Sequence, residues 1–107
     1  MSFRWPNKDP DEQLDYSIDW SRFLDAATIT SVAWFVDAAD GTKTAINAGD
    51  TVNGIQNVSQ TQDSTNQVAT INIGSGTNNL DYTFYCKITD STGSQAERSI
   101  KLRVRQK

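Results

Sequence analysis

The amino-acid sequence predicts an all-β protein, an antiparallel β-sandwich of about seven strands. Two observations carry this prediction. Apolar and polar residues alternate along several short stretches, as they do in strands that bury one face. Turn-forming residues separate these stretches, and no long helical pattern occurs between them. The 107 residues are enough for one domain with its own core and too few for two.

The clearest strands are the last two. From Leu80 to Ile88 every second residue is apolar or aromatic, and from Ile100 to Val104 apolar residues alternate with basic ones. The segment DSTGSQA, residues 90–96, supplies turn residues between them. The two stretches therefore predict a long antiparallel hairpin.

A third strand is predicted at residues 28–36, TITSVAWFV, which are rich in β-branched and aromatic side chains. The pair Asp40-Gly41 follows and is the strongest hairpin signal in the chain. A short strand near Thr44 is expected after this turn. The three features together predict a second hairpin.

The middle of the chain gives a weaker pattern. Residues 51–58 predict a strand that Gly54 interrupts with a bulge or bend. Residues 60–66 are polar and predict a loop, whereas residues 68–73 predict a strand with alternate apolar positions. The following GSGTNN, residues 74–79, predicts another loop.

Residues 9–24, DPDEQLDYSIDWSRFL, combine carboxylates with aromatic residues. Asp9 and Glu12 have the spacing of a capping box, and Pro10 suits the first position of a helix. One helical turn is therefore expected here, before a strand.

That strand is predicted from Leu14 to Trp20, where apolar and polar residues alternate strictly. Asp15 and Asp19 would share its outer face about 13 to 14 Å apart. Carboxyl pairs of glycosidases lie about 5 to 9.5 Å apart, so these two residues do not predict such a pair. The expected organisation is an extended acidic arm, residues 1–13, followed by a sandwich domain, residues 14–107.

The composition argues against an enzyme. The chain has no histidine, which removes the commonest general base and the commonest transition-metal ligand. Cys86 is the only cysteine and is expected on an inner strand face, as a buried apolar residue rather than a nucleophile. No phosphate-binding glycine loop or zinc spacing occurs. No catalytic residue, cofactor site or metal site is predicted.

A calcium loop is also disfavoured in the acidic segment. Counted from Asp9, its sixth position would be Leu14 and its twelfth Trp20, where the common loop needs glycine and glutamate. Capping and solvation are the favoured roles of these carboxylates, and an irregular cation site remains an alternative.

Charge is distributed unevenly along the chain. Five of the ten basic residues fall in the last ten positions, although the net charge is −3: Arg98, Lys101, Arg103, Arg105 and Lys107. The last four alternate and should form a basic stripe on the outer face of the last strand. Such a stripe could bind phosphate groups, protect an edge strand or receive an acidic segment. The net negative charge disfavours nucleic acid.

Eight residues are candidates for contact with a partner: Trp5, Asp9, Asp11, Glu12, Tyr85, Lys101, Arg103 and Arg105. They belong to the acidic segment and the basic stripe, except that Trp5 is expected outside the domain and Tyr85 alternates outward from the core.

Four segments resemble a known family: WPNKDPDEQLDYSIDWSRFL, SVAWFV, TVNGI and TNNLDYTFYCKITDSTGSQAERSIKLRVR. They are similar to small virion proteins of tailed bacteriophages, the fibre-tail adaptor proteins. The resemblance implies an immunoglobulin-like sandwich, although the paired cysteines of antibody domains are missing.

The resemblance implies a structural, non-enzymatic protein of the phage tail that joins the tail to its fibres. Its expected partners are other virion proteins and further copies of itself, with no nucleic acid and no membrane. No apolar stretch approaches the roughly 18 residues that cross a bilayer, and the start lacks a secretory signal pattern, so synthesis in the host cytoplasm is expected. The alternatives are a capsid decoration protein and a carbohydrate-binding module for host attachment.

Overall fold

A computed structural model describes residues 3–24, 26–63 and 67–106. Within these residues nine strands and one helical turn occur, in this order: β1 Phe3–Arg4, β2 Leu14–Asp19, α1 Ser21–Leu24, β3 Ile29–Asp37, β4 Lys43–Ala45, β5 Thr51–Val52, β6 Ile55–Asp63, β7 Val68–Ser75, β8 Leu80–Asp90 and β9 Gln95–Val104. Predictions for residues 1, 2, 64–66 and 107 lie outside the described part.

The strands form two sheets. One has five strands in the order β1-β9-β8-β3-β4, and the other has four in the order β2-β7-β6-β5. Neighbouring strands are antiparallel, except that β1 runs parallel to β9. The predicted all-β antiparallel sandwich is confirmed, and its immunoglobulin-like character stays a prediction.

The core lies between the two sheets. The inner face of β8 contributes Tyr82, Phe84, Cys86 and Ile88, all at most 1% exposed. They face the inner sides of β2, β6 and β7, where alternation likewise selects the buried residues. Burying each large apolar side chain contributes roughly 1.5 to 3 kcal/mol, so this core is the main source of stability.

The predicted C-terminal hairpin is confirmed over ten paired positions, from Leu80 opposite Val104 to Thr89 opposite Gln95. Asp90 closes its turn by accepting hydrogen bonds from Thr92 and Ser94. The bond from the Thr92 side chain holds the pKa of the Asp90 carboxyl below its usual range. Because this pKa is lower in the folded than in the unfolded protein, the carboxylate stabilises the fold at pH values above its unfolded pKa of about 4. The contribution is lost as the pH falls from that value through the lower, folded pKa.

Two predictions in the middle of the chain are wrong in detail. The single strand predicted at residues 51–58 is two strands. Gly54 does interrupt it, but as part of a two-residue turn with Asn53 between β5 and β6 and not as a bulge; φ is 81° at Gly54 and 50° at Asn53. The register shift lies instead between Asn57 and Ser59. β5 has only two residues, which is too short to give a periodic signal.

The predicted loop at residues 60–66 is also wrong as far as Asp63. β6 continues to that residue and pairs with β7, Thr61 with Thr70 and Asp63 with Val68. The side chains of residues 61–63 are exposed. The strand continues because its backbone pairs with β7. The polar side chains show no strand pattern, so the sequence did not predict this part of β6.

The substitution Gly54→Ala should destabilise the fold by about 2 to 3 kcal/mol. A Cβ there would lie 2.7 Å from Thr77 Oγ1, and the positive φ adds backbone strain. Gly41→Ala is the matched control, since φ is 87° but nothing lies within 4 Å of the added atom. Urea denaturation should give the control a cost of only about 1 to 2 kcal/mol. Equal costs for the two variants would exclude the steric conflict with Thr77.

The N-terminal segment is packed along β9. The backbone N–H groups of Trp5 and Lys8 donate to the carbonyl oxygens of Lys101 and Arg103, at 2.9 and 3.0 Å. β1 thus extends the five-stranded sheet, and residues 3–8 cover part of the edge that β9 would otherwise expose.

Trp5 lies in the core, so the expectation that it stands outside the domain is wrong. It is 8% exposed. Its ring stacks on Tyr16 at 4.7 Å between centroids and lies 5.8 Å from Phe84 and 6.0 Å from Trp34. The sequence could not show this, because Trp5 reaches the core through parallel pairing with a strand at the other end of the chain.

The helical turn α1 follows β2 directly and was not predicted. The N–H of Ser21 donates to Asp19 Oδ1 at 2.9 Å, which lowers the pKa of the Asp19 carboxyl, and Leu24 is buried. In the described part of the chain no helix is long and apolar enough to span a membrane.

Candidate contact surface

The outer face of the five-stranded sheet brings together three predicted contact residues, Tyr85, Lys101 and Arg103. Strand alternation places them outward, and the register sets Lys101 opposite Thr83 and Arg103 opposite Asp81. Lys101 Nζ donates to Thr83 Oγ1, and Arg103 Nη1 to Asp81 Oδ1, both at 2.9 Å. These contacts tie both basic side chains to the neighbouring strand β8.

Tyr85 is half-buried at the centre of this face. Lys43 Nζ lies 5.0 Å from the centroid of its ring and 4.7 Å from that of Phe35, in cation–π geometry. The same ammonium pairs with Glu97 Oε2 at 2.6 Å. The Tyr85 hydroxyl donates to Asp37 Oδ2 at 3.2 Å, and burial, followed by this bond, raises the pKa of Tyr85. Two aromatic rings therefore lie beneath a partly exposed ion pair.

Positive charge exceeds negative charge on this face. Its charged residues are Arg4, Lys43, Lys87, Lys101 and Arg103 against Asp37, Asp81 and Glu97. The two ion pairs here are well exposed, so each contributes little to stability. A rim of mixed charge around aromatic rings suits contact with another protein.

The acidic turn, residues 9–12, closes with the predicted capping geometry but forms no helix. The Asp9 N–H donates to Glu12 Oε1 at 2.9 Å, and the Glu12 N–H donates to the Asp9 carbonyl at 3.0 Å. Asp11 is exposed, and its N–H donates to Asp9 Oδ1. No group of three or more potential ligands that could hold a metal ion occurs in the described residues. Capping is the role that these bonds support.

Arg105 lies beside the acidic turn. Its backbone N–H donates to the Lys8 carbonyl at 2.7 Å. Lys8 itself is fully buried, and Nζ donates to the carbonyls of Asp9 and Ser75. The predicted contact residues thus divide into an outer face, an acidic turn with Arg105, and Trp5 in the core.

Sequence reasoning missed Phe35, Lys43 and Glu97. Phe35 could have been found, since it alternates outward from the buried Trp34. Lys43 and Glu97 meet only because β4 and β9 flank β3 and β8, and this sheet order is not visible in the local sequence.

Cys86 should not react with 5,5′-dithiobis(2-nitrobenzoate) in the folded protein. Its side chain is completely buried, and this burial raises the pKa of the thiol to about 12. Because the thiolate is the reactive form, native protein at pH 8 should react only at its rate of unfolding. The same protein in concentrated denaturant is the control and should react fully within seconds. Fast stoichiometric reaction under native conditions would contradict the buried position.

Comparison with known proteins gives one family. The family model described as podophage GP4 fiber-tail adaptor protein gp77 matches residues 8–103. The chain belongs to this family. The matched range runs from Lys8 through β2 to β9 and ends within the last strand, so it includes the acidic turn and most of the outer face of this fibre-tail adaptor. A search of curated proteins found no match.

Proposed function

We propose that this protein is a structural component of the podophage tail that joins the tail to its fibres through protein–protein contacts and catalyses no reaction. The family match supports the adaptor role. The observation that carries the proposed mechanism is the outer face of the five-stranded sheet, where Tyr85 and Phe35 lie between charged side chains.

This face has the composition of a protein interface. Aromatic and arginine side chains dominate the binding energy of most interfaces, while exposed charges guide encounter and register. Tyr85, Lys101 and Arg103 would contact an acidic surface of a tail or fibre protein. The pre-formed contacts to Asp37, Thr83 and Asp81 reduce the entropy lost when these side chains are fixed in the complex.

The acidic turn is the second proposed contact surface. Asp9, Asp11 and Glu12, with Arg105 beside them, would contact another virion protein or the basic outer face of a neighbouring copy. The second option makes the adaptor a homo-oligomer in the virion. In this proposal Trp5 fixes the segment that carries the turn and does not itself meet a partner. The net charge of −3 disfavours nucleic acid as a partner.

The double substitution Lys101→Gln/Arg103→Gln tests the outer face. Surface plasmon resonance with purified tail and fibre proteins of the same phage should show binding of at least one of them weakened by about tenfold or more. Ser59→Glu/Thr61→Glu is the matched control, because it changes the net charge equally at exposed positions of the other sheet. Wild-type affinity of the Lys101/Arg103 variant for every partner would overturn this assignment.

The carbohydrate-binding alternative loses its main support. It predicts glycan binding near Trp5, Tyr85 or the loops at residues 60–66 and 74–79, with the two aromatic rings as stacking surfaces for sugars. Trp5 is in the core, and Lys43 lies over the Tyr85 ring. No feature of the described residues favours capsid decoration over a position in the tail.

A further inference from the structure

An open cleft of about 800 Å³ lies at one end of the sandwich, between α1, the end of β2 and the beginning of β9. Its walls include Trp20, Phe23, Arg22 and Arg98. We call it the arginine cleft. Arg98 stands opposite the buried Cys86 and so belongs to the inner side of β9, whereas Glu97 and Ser99 form the border between the cleft and the outer face.

Arg98 is the central group of the arginine cleft. Its guanidinium carbon lies 5.1 Å from the centroid of the Trp20 ring, and the side chain is half-buried. Within the described part of the chain it has no ion pair or hydrogen bond. A guanidinium has five N–H donors, so this side chain keeps its donors available on the open side of the cleft.

Two carboxylates line the arginine cleft, those of Glu97 and Asp19. Glu97 pairs with Lys43 on the outer face at 2.6 Å. Asp19 accepts the N–H of Ser21 at the start of α1. Arg22 adds a second basic side chain to the wall of the cleft and is exposed. With Glu97 paired to Lys43, the arginine cleft has the two guanidinium groups of Arg22 and Arg98 against the single carboxylate of Asp19, and neither arginine has an ion pair in the described residues.

The other wall of the cleft is apolar. Phe23 is 38% exposed and is the most exposed large hydrophobic side chain in the described residues. It packs edge-on against Trp20 at 6.0 Å between ring centroids. The arginine cleft thus combines a tryptophan and an arginine side chain with an exposed apolar residue. Protein interfaces concentrate their binding energy in pockets of this kind.

We propose that the arginine cleft binds an acidic segment of another virion protein, which places a carboxylate on Arg98 and an apolar side chain on Phe23. The planar guanidinium fork matches a carboxylate in a bidentate geometry. Two arginines beside an apolar wall fit a mixed acidic and apolar peptide better than a nucleic-acid backbone, which needs a long basic track. The cleft would give the adaptor a contact site distinct from the outer face.

Nuclear magnetic resonance of the ¹⁵N-labelled full chain tests this proposal. The probe is a short synthetic peptide of alternating Glu and Leu, compared with one of alternating Gln and Leu. The acidic peptide should shift the Trp20 indole N–H and the Arg98 side-chain N–H resonances, and the neutral peptide should shift them much less. Arg98→Gln should weaken binding of the acidic peptide by about tenfold or more, and Arg98→Lys should bind with intermediate affinity.

Ser59→Glu is the matched control, since it lowers the net charge by the same amount at an exposed position of the four-stranded sheet, outside the cleft and both proposed contact surfaces. It should bind the acidic peptide as the wild type does. Equal binding by Arg98→Gln, no shift in the wild type, or shifts confined to the outer face would overturn the proposal. Stronger shifts of the same resonances by a single-stranded oligonucleotide would assign the cleft to nucleic acid instead.

The peptide result is independent of the adaptor role, because it needs no tail or fibre protein. If Arg98→Gln fails to fold, the wild-type shifts and the Arg98→Lys affinity still decide between the outcomes. If the wild-type protein bound the acidic peptide but no tail or fibre protein, the proposed function would be rejected, and the acidic-peptide site in the cleft would stand.

Discussion

Trp5→Ala is expected to destabilise the protein by about 3 to 5 kcal/mol, the usual cost of removing a large aromatic side chain from a core. Trp5 lies near the N-terminus, yet its ring touches Tyr16 from the four-stranded sheet and Phe84 and Trp34 from the five-stranded sheet. Its indole N–H also donates to the Ser17 carbonyl, at 3.4 Å. The cavity would therefore open between the sheets.

Urea denaturation followed by far-ultraviolet circular dichroism measures this effect. Phe23→Ala is the control, because it removes an aromatic ring of the same class from a partly exposed position and should cost about 1 kcal/mol or less. A Trp5→Ala variant within 1 kcal/mol of the wild type would show that the N-terminal segment does not pack into the core.

Lys8→Ala should cost about 3 to 5 kcal/mol as well. Lys8 is 0% exposed, and its ammonium donates hydrogen bonds to the carbonyl oxygens of Asp9 and Ser75. The substitution removes the completely buried stem, whose loss leaves a cavity, and it deletes two hydrogen bonds from a charged donor, each worth about 1.5 to 3 kcal/mol. The acidic turn should lose its fixed position as a result.

Two variants separate these contributions. Lys8→Met keeps most of the stem and should recover part of the loss in urea denaturation, because only the hydrogen bonds are missing. Lys101→Ala removes an exposed lysine from the neighbouring strand and should change stability by about 0.5 kcal/mol or less. If Lys8→Ala were as mild as Lys101→Ala, the buried ammonium would have no structural role.

Local alternation predicted the fold where strands are long and each has one buried face. β8 and β9 are such strands, and their hairpin followed directly from Tyr82, Phe84, Ile100 and Leu102. β2 was predicted in the same way. The short strand β5 was predicted as one interrupted strand together with β6. β6 was ended too early, because its backbone pairing to β7 continues without an apolar side-chain pattern.

The N-terminal segment shows a different limit of sequence reasoning. The sequence predicted that residues 1–13 form an extended acidic arm outside the sandwich domain. The described part of this segment is instead tied to β9 by backbone hydrogen bonds and anchored by Trp5 and Lys8. Parallel pairing between opposite ends of the chain leaves no signal in either local pattern.

The candidate surfaces could be predicted only where they depend on local alternation and not on the order of the strands. Outward alternation identified Tyr85, Lys101 and Arg103. The ion pair of Lys43 with Glu97 depends on the order of four strands and could not be predicted. Arg98 did carry a signal, because its even spacing from Ile100 places it on the inner face of β9, in a position that the neighbouring residues reserve for the core.

A cryo-electron-microscopy map of the native virion tests the adaptor role. The map should show density for this sandwich between the tail and the attached fibres, with the outer face of the five-stranded sheet against another virion protein. Density for the chain on the capsid surface, or a position in the tail without contact to a fibre protein, would exclude the adaptor role.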